Sequence, residues 1–243
     1  MDRAAYDRMA EIDRDHWWFV ARRDIIARLI EQFRPSRQRL RILEVGAGTG
    51  SNLDLLRRYG DVEAIEPDDG ARAFAEQRSG MKLKSGYLPD VPLDDSGYDL
   101  IVLLDVLEHI PDDVGALRYL SGKLAPGGRL MATVPASPWM WSAHDLAHHH
   151  QRRYTRAHLL RVVTAAGLRP HYVTHFNMLL FPPIAAVRLL GKLTGREGGD
   201  DAMPARPVNA ILRGLFGAER HWVARLPMPF GVSMAMVAEP VIL

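Results

Sequence analysis

Apolar residues near the start of the chain return every three or four positions. Ile25, Ile26, Leu29, Ile30 and Phe33 fall on one face, so residues 3–33 are predicted to form a long helical segment with a packing stripe. From Leu40 the period changes. Short apolar runs at 40–45, 61–66, 82–85, 98–104 and 129–134 alternate with stretches of helical spacing. Such alternation predicts an α/β fold with a parallel, doubly wound sheet and helices on both faces. Ile42-Leu43-Glu44-Val45 and Leu100 to Leu104 are apolar on both sides, as central parallel strands are. A helix over 112–124 is closed off by Pro126-Gly127-Gly128. Another, over 155–166, has Thr155 as its N-cap and Gly167 as its stop. Residues 168–176 and 231–238 alternate like strands and are expected to pair as an antiparallel edge. Between them lie an apolar stretch (Met178 to Leu193), a Gly/Asp/Pro-rich linker (Gly195 to Pro207) expected to be mobile, and a helix near 208–219. Residues 177–230 therefore read as an insertion.

At 243 residues the chain can bury a full core as one domain. No run approaches the roughly 18 apolar residues of a membrane span, and the first residues are charged rather than signal-like. A soluble cytoplasmic protein is expected. The absence of cysteine excludes disulfides, thiolate metal sites and a cysteine nucleophile. The net charge of +2 hides an asymmetry: residues 1–150 carry 19 basic and 24 acidic side chains, residues 151–243 carry 12 and 5. The basic half reads either as solvated arginine or as a surface facing something anionic, such as a phosphorylated substrate or a membrane. No aromatic–basic motif points to nucleic acid.

The tightest chemical constraint is Leu43-Glu-Val-Gly-Ala-Gly-Thr-Gly-Ser-Asn52. A buried strand ends there at Gly46, Gly48 and Gly50, and a helical pattern starts at Ser51. Such a junction aims helix amides at a ligand. A dinucleotide fingerprint G-x-G-x-x-G requires glycine at 51, where this chain has serine. Glu44, two residues before the first glycine, disfavours a pyrophosphate and suits a sulfonium or an α-amino group. Glu66, ending the second run, is placed to accept hydrogen bonds from ribose hydroxyls, which fits NAD and adenosylmethionine alike.

In this order Glu44-Val-Gly-Ala-Gly-Thr-Gly50, Glu66, Gly86-Tyr-Leu-Pro89, Tyr98-Asp-Leu-Ile101, Asp105-Val-Leu-Glu-His109 and Leu124-Ala-Pro-Gly-Gly128 resemble the class I S-adenosylmethionine-dependent methyltransferases. Residues 40–136 are closest to a bacterial small-molecule branch related to the type 11 and type 12 families. The resemblance implies a seven-stranded, Rossmann-like sheet with its last strand antiparallel. It further implies one domain: an N-terminal helical lid (1–39), a cofactor-binding core (40–176), a helical insertion or substrate cap (177–230) and a final strand (231–243). Gly46, Gly48 and Gly50 would line the methionine and ribose of S-adenosylmethionine, Glu44 and Asn52 its amino-acid end, and Glu66 its ribose. Tyr87 stands where much of the family has an adenine-binding aspartate, which leaves adenine to Leu88 and backbone groups. Asp105 and Val106, ending the fourth run, would border the transferring methyl.

Around that core, His16-Trp17-Trp18-Phe19 with Arg22-Arg23 is similar to lid clusters of this branch, and Trp18 and Arg23 are expected at the substrate. His109 is expected to orient a loop. Trp139 to Tyr154 lies where substrate enters a doubly wound sheet. There Trp141, His148 and Tyr154 are substrate-contact candidates, His144 is the candidate base and Asp145 its orienting partner. His144, Asp145 and His148 also have a spacing at which metal ligands converge, but no metal is assigned. The expected reaction is methylation of a small-molecule acceptor, more readily at oxygen than at nitrogen or carbon. The alternatives are a nicotinamide-dependent oxidoreductase and a non-catalytic adenosylmethionine-binding protein. The basic, apolar segment 177–193 is expected to cap a hydrophobic substrate, touch a membrane surface, cover the core or join a second copy.

Overall fold

The computed structural model describes residues 3–93, 97–194 and 202–241. Six strands form one mixed sheet: β1 (Leu40–Val45), β2 (Gly60–Ile65), β3 (Tyr98–Leu104), β4 (Leu124–Pro135), β5 (Leu168–Phe176) and β6 (Ser233–Pro240), in the order β2-β1-β3-β4-β6-β5. Only β6 runs antiparallel to its neighbours. Alternate residues of β3 face opposite cores. Ile101 and Leu103 pack with α5 (Asp113–Ser121) and α7 (Arg156–Ala165), while Leu100 and Val102 pack with α2 (Trp17–Phe33) and α9 (Arg206–Ala218). All seven residues of β3 are buried, because helices cover the sheet on both sides. On α2, Ile25, Ile26, Leu29 and Ile30 are fully buried. Each contributes roughly 1.5–3 kcal/mol by leaving water.

Several expectations need correction. The third run, 82–85, is no strand: it makes a single bridge, Ile65 to Lys84, beside β2. Lys82 and Lys84 give it little to bury on its outer side, so pairing stops after one residue, and among the described residues the sheet has six strands rather than seven. The N-terminal helical segment breaks in two, α1 (Arg3–Ile12) and α2, because Asp13 is a buried anchor. Arg78 of α4 (Asp69–Ser79) grips both Asp13 oxygens at 2.5 and 3.1 Å, and Arg23 donates to the Asp13 carbonyl at 2.8 Å. His16 then caps α2, its ring accepting from the Trp18 amide. Helix α5 stops at Ser121, and Leu124 already pairs with Tyr98. The Pro126–Gly127 step bulges within β4, so register resumes at Leu100 with Arg129. The expected antiparallel pair of β5 and β6 does form one edge of the sheet, with β5 outermost and β6 between β5 and β4.

The expected linker lies partly, at 195–201, outside the described residues. On either side of it stand α8 (Phe181–Thr194) and α9. No helix among the described residues is long and apolar enough to cross a membrane.

The sheet order reverses between β1 and β3. A crevice opens at their carboxyl ends, as it does in doubly wound sheets generally.

Candidate active site

That crevice widens into a cavity of about 1120 Å³. Its floor is the turn after β1. Gly46, Gly48 and Gly50 have φ of +70°, +55° and +75°. A Cβ on Gly46 would stand 2.6 Å from Val106 Cγ2, so only glycine lets the turn pass beneath the β3 terminus. A Cβ on Gly48 would meet nothing within 4 Å and would project into open space.

Three carboxylates stand around this floor. Glu44 is fully buried; its Oε1 accepts from Asn52 Nδ2 at 3.1 Å, and its Oε2 has no hydrogen-bond partner. Burial pushes its carboxyl up to about 7. Glu66, just past β2, accepts from the Gly48 amide at 2.7 Å and the Asp68 amide at 2.9 Å. Burial raises it too, and those two amides oppose the rise. Tyr6 of α1 reaches the same carboxylate; burial first, then the charges of Glu66 and Asp68, drives the Tyr6 phenol upward. Asp105 follows β3 in a left-handed conformation, φ +60°. Its Oδ2 pairs with Arg22 at 2.5 Å, and Arg22 also donates to Thr133 at 3.1 Å and lies over the Trp18 ring at 5.0 Å. Tyr87, Leu88 and Val106 complete this part of the wall.

The other end of the cavity is lined by histidine. His109, His144, His148 and His150 share it with Glu108, Arg153 and, from α8, Ile184, Val187 and Arg188. Burial lowers His109 to about 4 and lowers His150 as well. Glu108 is fully buried and pushed well up, first by burial and then by Asp105.

Of the expected site residues, the cavity brings together Gly46, Gly48, Asn52, Glu66, Tyr87, Leu88, Asp105, Val106, Trp18, His144 and His148, while Glu44 is fully buried off its wall, hydrogen-bonded to the lining Asn52. Others fall elsewhere. Gly50 packs against Ala75 and Leu53. Arg23 turns to the Asp13 carbonyl, and its neighbour Arg22 is the arginine in the cavity. Trp141 is half-buried and off the cavity wall. Tyr154 is a core residue: it bridges to Ala136, and its hydroxyl donates to Asp113 at 2.8 Å. Asp145 is fully buried behind the wall. It accepts from the Ser142 amide at 2.9 Å and Arg153 Nε at 2.8 Å, and faces His150 Nδ1 at 2.8 Å, so the ring it orients is His150 rather than His144. These contacts hold Asp145 far below the usual carboxylate range, against the burial that raises it.

Sequence reasoning missed Tyr6 and the approach of His150 to Glu108, and from the Arg22-Arg23 pair it chose Arg23 where Arg22 faces the cavity. Glu108 left a signal: an acidic residue directly after the apolar Val106-Leu107 step is costly to bury without a purpose.

The model of a methyltransferase-domain family matches residues 17–173. An uncharacterised methyltransferase of Staphylococcus carnosus is 33% identical over 37% of this chain and 45% of its own length. A probable S-adenosylmethionine-dependent methyltransferase of Mycobacterium tuberculosis is 28% identical over 51% of this chain and again 45% of its own. The chain thus spans about half the length of these curated relatives. A ubiquinone biosynthesis O-methyltransferase of Aeromonas salmonicida is 28% identical over 63% of this chain and 71% of its own. Among solved structures, a chain of the complex between the Haloferax volcanii Trm112 methyltransferase activator and a methyltransferase superposes with a TM-score of 0.63 at 17% identity, covering 99% and 98% of the two chains. Geranyl diphosphate methyltransferase in complex with SAM superposes with a TM-score of 0.61 at 13% identity over 90% and 85%. At those identities the structures speak for the fold alone.

Proposed function

Because this chain belongs to the class I S-adenosylmethionine-dependent methyltransferases, we propose that it methylates an oxygen of a small-molecule acceptor held between the glycine turn and the histidine-lined end of the cavity. The observation that carries the proposal is the continuity of that one cavity, from Glu66 past Asp105 to His144. The NAD reading falls with the family assignment.

The residues fit the cofactor. Glu44 Oε2, buried without a partner, suits an α-ammonium group; the open side of Gly48 admits a ligand against the backbone; and Glu66 has lone pairs left for two ribose hydroxyls. When bound, adenosylmethionine supplies a methyl on a sulfonium that leaves as a thioether. The protein's own task is then alignment and exclusion of water. Tyr6 on α1 and Trp18 and Arg22 on α2 form a lid over opposite ends of the cleft. His144 takes the acceptor's proton as the oxygen lone pair closes on the methyl carbon and the carbon–sulfur pair stays with sulfur. Ile184 and Val187 of α8 pack an apolar acceptor body, and Arg188 favours one that carries negative charge; the O-methyltransferase among the relatives supports the choice of oxygen. The insertion thus acts as a substrate cap.

Two outcomes test this assignment. Calorimetry should show adenosylmethionine binding and no NADH binding, with methylated products identified by mass after incubation with phenolic and carboxylic acceptors. His144→Ala should lower turnover about 10²-fold with cofactor affinity unchanged. Cofactor binding without turnover on any acceptor would identify a non-catalytic binder, and unchanged turnover in His144→Ala removes the base from His144.

Glu44 sets a pH dependence. It pairs with an ammonium only when ionised, and in the free protein its carboxyl sits at about 7. Binding must therefore release a proton at lower pH, and adenosylmethionine affinity should fall by up to about tenfold per pH unit below that point. The same raised value means that stability present below the ordinary carboxylate range is lost as pH rises through about 7 in the cofactor-free protein. Glu44→Gln should flatten both profiles. A wild-type affinity constant from pH 5.5 to 8 would take Glu44 out of the contact (pH values of roughly this range bracket the shift).

A further inference from the structure

The acceptor end holds more histidine than one proton transfer uses. The His109 and His150 rings stand 4.7 Å apart, and those of His144 and His148 4.2 Å apart. Beneath them Glu108 is fully buried, and neither carboxylate oxygen is hydrogen-bonded by another residue. A carboxylate in that position is costly unless a cation faces it. The nearby guanidinium groups of Arg22 and Arg153 are directed to Asp105 and Asp145.

His150 sharpens the point. Its Nδ1 lies 2.8 Å from Asp145 Oδ1, and Asp145, ion-paired with Arg153, can only accept. Nδ1 therefore carries the proton and Nε2 presents a lone pair, 3.9 Å from Glu108 Oε1. The lone pair of Nε2 and the Glu108 carboxyl face each other across a buried gap with no hydrogen bond between them. His109 completes the set: one donor atom each from Glu108, His109 and His150 lies within 4.8 Å of the other two. Atoms that share one such ion stand ~3–4 Å apart, so the three are nearly in place.

We propose that Glu108, His109 and His150 bind a divalent transition-metal ion of the zinc or manganese kind, with its remaining coordination positions open to the cavity. Two imidazoles and one carboxylate suit such ions better than magnesium or calcium. Asp145 behind His150 is the carboxylate that fixes a liganding histidine's tautomer and direction. The open positions take a hydroxyl or carboxylate oxygen of the acceptor, holding it beside Asp105 and easing loss of its proton. This acceptor role rests on the O-methyl transfer proposed above; the ion site itself does not.

The test titrates chelator-treated protein with Zn²⁺ and Mn²⁺ by calorimetry, with metal content read by elemental analysis. Wild type should bind one equivalent and melt higher with metal. Glu108→Gln and His150→Asn should each weaken binding at least tenfold while keeping adenosylmethionine affinity. Without metal, Glu108→Gln should melt no lower than wild type, because neither Glu108 oxygen has a hydrogen bond from another residue to lose. No saturable binding in wild type, or equal binding in both variants, overturns the site. One-to-one metal binding with the same acceptor KM in loaded and stripped protein overturns the acceptor role and leaves the methyltransferase reading intact. Loss of turnover on every acceptor in both forms counts against that reading instead.

Discussion

Arg22→Ala should destabilise the protein by about 3–5 kcal/mol, the usual cost of removing one partner from a buried ion pair. The guanidinium is buried, pairs with Asp105 at 2.5 Å, donates to Thr133 and stacks on Trp18. Its removal leaves Asp105 beside the buried Glu108 without its nearest cation, and frees α2 from the ends of β3 and β4. For a chain of this length the melting temperature should drop by roughly 10 °C. At a temperature where both proteins are folded, turnover should fall at least ~10²-fold, since a misplacement of about 1 Å near the reacting atoms can cost that much. Arg22→Lys keeps the charge but not the fork, and should recover only part of the stability. Arg23→Ala is the internal comparison and should cost less, because that side chain meets a carbonyl rather than a carboxylate. Thermal melts of the three variants decide the matter. A melting temperature for Arg22→Ala within about 1 °C of wild type would mean that the pair carries no net stability.

Gly46→Ala should nearly abolish cofactor binding. Two costs coincide. An alanine at φ +70° pays about 1–2 kcal/mol for the left-handed conformation. Its Cβ would also stand 2.6 Å from Val106 Cγ2, an overpacking worth about 1–3 kcal/mol more. The turn relieves both by shifting, which moves the Gly48 amide and with it the Glu66 carboxylate. Adenosylmethionine affinity should drop at least ~10²-fold. The double variant Gly46→Ala/Val106→Ala separates the costs, since it removes the clash and keeps the dihedral strain. Recovery of part of the stability, measured as a double-mutant cycle, is the expected coupling. No coupling would mean that Val106 yields freely and that backbone strain alone is responsible.

The parts of the molecule legible from its sequence were those fixed by local chemistry. Three closely spaced glycines after an apolar strand define a turn whatever surrounds them, so Gly46, Gly48, Glu66 and Asp105 stand in the cavity as expected. Long-range contacts were not legible. Helical spacing runs straight through Asp13, and only the approach of Arg78 from 65 residues away breaks the helix there. Adjacent arginines at 22 and 23 lie about 100° apart on a helix, which sends one into the cavity and the other away from it. Tyr154 looked like a contact residue because it follows the histidines, yet a single bridge to Ala136 draws it into the core. Asp145 was read with its neighbour His144, whereas the chain turns so that His150, five residues on, receives it.

The position of β6 has a consequence for how such a site can change. Ser233 pairs with Phe176 on one side and Pro135 on the other, so the excursion from 177 to 232 leaves the sheet and returns to it at the same point, beside the cavity. Its two ends are already held together by strand pairing. Lengthening it therefore costs only the slowly rising entropy of a longer loop, about 0.6 kcal/mol per doubling. The cavity wall that Ile184, Val187 and Arg188 supply can be reshaped by insertion or deletion in this one stretch while the strand register and the glycine turn across the sheet stay as they are.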